Sequence, residues 1–241
     1  MNQVDCKITY LRAVSDTLIL RLQPTEKLPF HAGQYLFMAI DGEHFKPYSI
    51  ASIPSDEVLE FHIRDNPEVP LVTELAKRYE AGHAIQVQTP TGNCTLQRAS
   101  MLRPILFVAG GTGYAPCNAM IRELLVTDSR PSITLFWGAD HTQELYLNEE
   151  LGLWASQQIG FTYVPVVQFP DDEADTSMRH GFVHEAVLES NLDLVEYDIY
   201  LSGSAAMVGH VYHALVAAGA QSEHIYSDML DLNLAEFPAD S

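Results

Sequence analysis

Basic residues are scarce in this chain: thirteen Lys and Arg stand against thirty-two Asp and Glu, a formal charge of −19 over 241 residues. Such a charge repels polyanions at long range and excludes nucleic acid and anionic membrane surfaces as partners. Cysteine is scarcer still. Cys6, Cys94 and Cys117 are odd in number, far apart and without a C-x-x-C pair, so they form neither a disulfide framework nor an iron–sulfur site and read as buried thiols of a reducing compartment. No eighteen apolar residues run together, and Met1–Lys7 shows no basic segment leading into an apolar core, so the expectation is a soluble, cytoplasmic protein with no membrane partner. Ten histidines include no H-E-x-x-H, and His210 with His213 reads as one helix face, so no metal is expected. Ser202-Gly203-Ser204 is not a G-x-S-x-G elbow, which argues against a hydrolase.

What the chain does have is 47% apolar content and 10% aromatics, enough for a sizeable core. Up to about residue 98 the pattern is short alternating runs between turn residues: Lys7–Val14, Thr17–Leu22, Gln34–Ala39, Tyr48–Ile53, Leu59–Ile63, Ala84–Gln88 and Cys94–Leu96. Strands at this spacing predict an antiparallel barrel or sandwich. One helix interrupts them near Leu71–Tyr79, with Leu71, Val72, Leu75, Ala76 and Tyr79 on one face. After Arg103-Pro104 the grammar becomes strand then helix, repeated: Ile105–Ala109 and Tyr114–Val126, Ile133–Trp137 and Leu147–Ser156, Phe161–Val167 and Val183–Glu189, Ile199–Leu201 and Ala205–Ala218, then a last strand Ile225–Met229. Apolar strands alternating with helices predict a doubly wound parallel sheet. Two domains follow, residues 1–100 and 101–241, and Pro170–Asp175 reads as a solvated acidic loop.

Gly110-Gly111-Thr112-Gly113-Tyr114-Ala115-Pro116 follows the first apolar strand of the second half directly. In an open α/β sheet, ligands bind beyond the carboxyl ends of the strands, where a helix N-terminus offers free N–H groups to phosphate. Gly110, Gly111 and Gly113 would let the backbone approach a pyrophosphate, and Thr112 adds a hydroxyl. Phe136-Trp137-Gly138-Ala139-Asp140 and Tyr200-Leu201-Ser202-Gly203-Ser204 close two further strands. A 2′-phosphate would call for Arg or Lys after the second strand, where the chain has Asp140, His141 and Glu144, so NADH is favoured over NADPH.

In the first half, Lys46-Pro47-Tyr48-Ser49-Ile50-Ala51-Ser52 places a cation, an aromatic face and a hydroxyl on one extended segment. A flavin needs all three: charge for a phosphate, a surface for the ring system and a polar group near N5. Strand alternation puts Lys46 and Tyr48 on one face and Ser49 on the other, so the ligand would have to lie across the strand or the backbone would have to bulge.

This ordered set, K-P-Y-S-I-A-S, then G-G-T-G-Y-A-P, then F-W-G, then S-G-S-A-A-M, resembles the ferredoxin–NADP⁺ reductase superfamily and within it the small bacterial NAD(P)H:flavin oxidoreductases. The likeness spans Gln3 to Asp228. The resemblance implies an all-β antiparallel Greek-key barrel that binds flavin, followed by an α/β doubly wound parallel-sheet domain that binds NADH or NADPH, with hydride passing between them. It implies that Lys46, Pro47, Tyr48 and Ser49 contact the flavin, with Ser49 catalytic near N5. Gly110, Gly111, Thr112, Gly113, Tyr114, Pro116 and Gly138 would hold the dinucleotide, and Ser202 and Gly203 would lie beside the nicotinamide. Asp228 is a second catalytic candidate, to orient the carboxamide or serve protons near N5.

The chain departs from the family at three places. Lys46 replaces the usual Arg, Ser202 stands where many members have Cys, and Asn66–Leu71 lacks the glycine and hydroxyl turn used for an FAD pyrophosphate. These departures imply FMN, FAD or riboflavin as an exchangeable substrate, with reduced flavin released to a monooxygenase or a ferric chelate. The alternatives are a tightly flavin-bound reductase component serving an oxygenase or ferric chelates, and a non-catalytic nucleotide-sensing module. The acidic charge weighs against an acidic carrier such as a small ferredoxin as partner.

Overall fold

Residues alternate in burial along the first strand, β1 (Gln3–Val14), where Val4, Cys6 and Ile8 point inward and their neighbours face solvent, the signature of a sheet with one dry face. The computed structural model describes residues 3–65, 71–127, 129–170 and 176–233. β1 is joined by β2 (Thr17–Pro24), β3 (Tyr35–Ala39), β4 (Lys46–Ser49), β5 (Leu59–Arg64) and β6 (Ile85–Gln88) in the order β4-β3-β6-β1-β2-β5, every pairing antiparallel. The ends of this sheet meet: Ala51 N–H donates to the Glu60 carbonyl at 2.7 Å, and Glu60 N–H donates to Ser52 Oγ at 3.0 Å. The closed Greek-key barrel encloses Leu20, Leu22, Leu36, Met38, Phe61 and Val87. Helix α1 (Leu71–Ala81) buries Leu75, while Leu71 and Val72 sit at the margin of the core. Tyr79, expected on the same face, is 48% exposed, because the contact surface ends a turn before it.

The second sheet contains β7 (Ile105–Gly110), β8 (Ile133–Ala139), β9 (Phe161–Val167), β10 (Arg179–His180), β11 (Asp198–Ser202) and β12 (Ile225–Tyr226), all parallel, in the order β10-β9-β8-β7-β11-β12. Helices α2 (Tyr114–Leu125), α3 (Asn148–Gln157), α4 (Val183–Glu189) and α5 (Ala205–Ala217) cover its two faces. β7 shows why its sequence is continuously apolar: Ile105, Phe107 and Ala109 join the layer containing α2, while Leu106 and Val108 join the layer containing α4 and α5. Strand order reverses between β7 and β11, which opens a crevice at their carboxyl ends.

Three strand expectations are corrected. The strand expected at Tyr48–Ile53 is β4 at Lys46–Ser49, and residues 50–53 lie beyond its end. Cys94–Leu96 is not a strand; a 3₁₀ turn at Leu96–Arg98 replaces it, with the Arg98 and Ala99 N–H groups bonded back to Thr95 and Leu96. The last strand stops at Tyr226 instead of reaching Met229. Ser227 accepts from Met229 N–H through its hydroxyl at 3.3 Å and from Asp231 N–H through its carbonyl at 3.1 Å, and so starts helix α6 (Asp228–Asn233). The expected features at residues 66–70 and 171–175 lie outside the described residues.

Buried polar contacts tie the two sheets together. Asn118 Nδ2 of α2 donates to the Ala51 carbonyl at 2.9 Å, and the Tyr200 hydroxyl of β11 donates to the Thr95 carbonyl at 2.9 Å. Arg122 pairs with Asp56 at 3.0 Å.

Candidate active site

Three glycines make room at the reversal of the parallel sheet. A Cβ on Gly113 would lie 2.5 Å from the Ser202 carbonyl oxygen and 2.6 Å from Gly203 N, so the turns after β7 and β11 approach as bare backbone. A Cβ on Gly110 or Gly203 would press on Met207, and Gly111 has φ +51°, which favours glycine. The Trp137 indole N–H donates to the Gly111 carbonyl at 2.9 Å, fixing that turn from the neighbouring strand. Gly138 is tight for another reason: its Cβ would meet Val183 at 2.9 Å.

These turns form one wall of a cleft of about 880 Å³ whose other wall is the barrel. The cleft brings together Pro47, Tyr48 and Ser49 from β4, Gly110 to Gly113, Pro116, Gly138, Ser202, Gly203 and Asp228. Tyr48 and Ser49 both line it, although they alternate along the strand, and Ser49 is the last residue of β4. Two expected residues stay outside. Lys46, next to Pro47 on β4, is exposed and is not among the residues that line the cleft. Tyr114 is fully buried, stacked on Trp137 at 4.4 Å with its hydroxyl donating to Asn118 Oδ1 at 2.9 Å. Its ring supports the glycine turn from within the core.

Sequence reasoning missed several cleft residues. Tyr35 and Phe37 of β3 pack edge-on at 5.8 Å beside β4. His62, in the buried run of β5, is bonded on both ring nitrogens, to Glu60 at 3.2 Å and across the domains to the Tyr146 hydroxyl at 3.0 Å. Burial alone would raise the Glu60 carboxyl, yet hydrogen bonds from His62 and Arg21 outweigh it and lower its pKa to about 2. Arg64, ending β5, gives Nε to Asp16 at 2.7 Å and Nη2 to Glu144 at 2.8 Å. No local pattern reveals the pairs of Arg64 with Asp16 and Glu144 or of His62 with Tyr146, which join residues 48, 80 and 84 apart in sequence.

Asp228 lies just beyond β12 and not within a strand. It begins α6, is partly buried, and Oδ1 accepts from Cys94 N–H at 3.4 Å on the barrel side. Burial raises its pKa, opposed by the Cys94 and Asn93 N–H groups. Burial pushes the Cys117 thiol up to about 12, and Cys94 is likewise raised. Among the described residues no helix is long and apolar enough to cross a membrane.

The cleft thus sets aromatic and hydroxyl-bearing side chains of β3 and β4 opposite bare backbone at the glycine turns. An FAD-binding domain family matches residues 2–96 and the oxidoreductase NAD-binding domain family matches residues 107–213. The NAD(P)H-flavin reductase of Vibrio harveyi is 31% identical over 93% of this chain and 97% of its own length. The reductase component of the naphthalene 1,2-dioxygenase system of Pseudomonas putida is 31% identical over 87% of this chain, which spans 63% of that longer protein. Among solved structures, the ferredoxin reductase in carbazole 1,9a-dioxygenase superimposes with a TM-score of 0.81 at 23% identity, over 94% of this chain and 69% of the other. The chain belongs to the flavin reductases of the ferredoxin–NADP⁺ reductase superfamily, oxidoreductases that use flavin and NAD(P)H.

Proposed function

We propose that the protein is an NADH:flavin oxidoreductase that takes flavin as an exchangeable substrate and releases it reduced. One observation carries this reading: Tyr48 and Ser49 of the barrel and the glycine turns of the parallel sheet line the same cleft. When both ligands are bound, a hydride passes from nicotinamide C4 to flavin N5 and a proton is taken up from water, leaving NAD⁺ and reduced flavin. The protein's part is positioning, since the two rings must lie parallel within van der Waals reach. Pro47 stiffens β4, Tyr48 offers a surface to the flavin ring, and the Ser49 hydroxyl serves N5. Gly110 to Gly113 present backbone N–H groups to the pyrophosphate, with Thr112, Pro116 and Gly138 shaping that wall and Ser202 and Gly203 beside the nicotinamide. Asp228, held against the barrel by Cys94 N–H, orients the carboxamide or passes a proton at its carboxyl oxygens.

Asp140 and Glu144 line the cleft beyond the β8 end and would repel a 2′-phosphate, which favours NADH. The acceptor of the reduced flavin is a monooxygenase or a ferric chelate. The likeness to an oxygenase reductase component favours a second reading, a permanently flavin-loaded electron carrier. NADH oxidation that requires added flavin, with colourless protein after desalting, supports the first; protein that stays yellow and needs no added flavin supports the second. Ser49→Ala is expected to lower kcat about tenfold with little change in KM for NADH, and a kcat within about twofold of the parent refutes the role.

A further inference from the structure

Four buried rings straddle the boundary between the two sheets: His62 of β5, Tyr114 of α2, Trp137 of β8 and Tyr146. Tyr114 stacks on Trp137 at 4.4 Å, Tyr146 meets Trp137 edge-on at 5.0 Å and His62 edge-on at 5.3 Å, and His62 lies over Tyr114 at 6.3 Å. A circuit of hydrogen bonds encloses the cluster. Arg21 Nε donates to Glu60 Oε2 at 2.6 Å, which leaves Oε1 for His62 Nε2 at 3.2 Å. An ionised carboxylate only accepts, so Nε2 carries a proton, and in the neutral ring Nδ1 is left to accept from the Tyr146 hydroxyl at 3.0 Å. On the other side Tyr114 bonds Asn118, Asn118 bonds the Ala51 carbonyl, and Ala51 N–H returns to the Glu60 carbonyl. The circuit reaches both walls of the cleft: the Trp137 indole holds the Gly111 carbonyl, and Ala51 stands two residues after Ser49.

We infer that His62 is a positioning residue for hydride transfer: through Tyr146 and the Trp137 indole it fixes the Gly111 turn relative to the segment that carries Ser49. This role rests on the function proposed above and adds to it a residue that touches neither ligand. The His62 side chain is fully buried, so it acts through its neighbours. Hydride transfer depends steeply on the placement of donor and acceptor, so a small shift of the nucleotide wall changes the chemical step more than the affinity for either ligand. Loss of the Tyr146 hydroxyl leaves Nδ1 a buried acceptor without a donor. The circuit then opens at the domain boundary while the ring packing remains. The Arg122–Asp56 pair crosses the same boundary at 3.0 Å, but it is partly exposed and lies off the circuit.

The test compares Tyr146→Phe with Arg122→Gln, in single-turnover reduction of riboflavin by NADH and in hydrogen–deuterium exchange of the ligand-free full chain. Tyr146→Phe is expected to lower the rate of the hydride step about tenfold and to leave the affinity for NADH within about twofold. Exchange is expected to quicken both in the segment 48–52 and in the segment 108–114, which belong to different sheets. Arg122→Gln should leave rate and exchange as in the parent. His62→Leu should slow the step at least as much as Tyr146→Phe, and the double variant no more than His62→Leu alone, since a shared contact is lost only once. A hydride step within about twofold of the parent in Tyr146→Phe overturns the inference, as does equal slowing in Arg122→Gln or exchange that quickens on one side of the boundary only. Failure of the parent itself to oxidise NADH with any flavin refutes the proposed function, while the exchange measurement still decides whether the circuit joins the two walls.

Discussion

Gly113→Ala tests the cleft at its narrowest backbone contact. The added methyl would sit 2.5 Å from the Ser202 carbonyl oxygen, where ordinary contact begins at 3.4 Å, so the turn after β11 must withdraw by about 0.9 Å. The atoms in the way are backbone, which cannot rotate aside as a side chain can. Overpacking of this kind costs about 1–3 kcal/mol. At about 2–4 °C per kcal/mol for a chain of this size, the melting temperature should fall by several degrees. The functional loss should exceed the loss of stability, because Ser202 and Gly203 would move relative to the nicotinamide and a misplacement near 1 Å costs on the order of 10²-fold. In steady-state NADH oxidation with riboflavin, kcat/KM for NADH is expected to drop by that factor. Riboflavin binding, read from fluorescence, should hold, since Tyr48 and Ser49 are on the barrel. Gly152→Ala is the matched control: nothing lies within 4 Å of its Cβ and it sits inside α3, so it should stabilise by about 0.5–1 kcal/mol and leave kinetics unchanged. A Gly113→Ala protein with kcat/KM within twofold of the parent would refute the claim that these two turns touch in the working enzyme.

Asn118→Ala strips the Tyr114 hydroxyl and the Ala51 carbonyl of their buried partner, and chemical denaturation should show a loss of about 2–4 kcal/mol. The Glu60 carboxyl, lowered from 4.5 to about 2 in the fold, stabilises the protein fully above its unfolded pKa and loses that contribution as pH falls from about 4.5 towards 2. Glu60→Gln should therefore flatten the acid limb of a stability profile by on the order of 2–3 kcal/mol, and an unchanged limb would contradict the pairing with His62 and Arg21. The thiols of Cys6 and Cys117 are pushed up to about 12 by burial, so a thiol-reactive disulfide reagent at pH 8 should label neither until the protein unfolds, as counted by mass.

Features that depend on a single strand or turn were legible in the sequence. The apolar run of β7 reads as a strand buried on both faces because its residues feed two layers alternately. The glycines after it mark close backbone approach because no other residue fits at 2.5 Å. The start of α6 was available too: Ser227 followed by Asp228 and Asp231 is a helix N-terminus signal, masked by the apolar run before it. Charge placement was not available. Lys46 shares its motif with three cleft residues yet is exposed and does not line the cleft, whereas Arg64, outside any motif, lines it with partners 48 and 80 residues away. Motif spacing reports what the backbone must do, and the backbone here brings β4 and the glycine turns to one cleft. The charge at that cleft is set by Arg64, Asp140, Glu144 and Asp228, which come from separate stretches of chain and meet only in the fold.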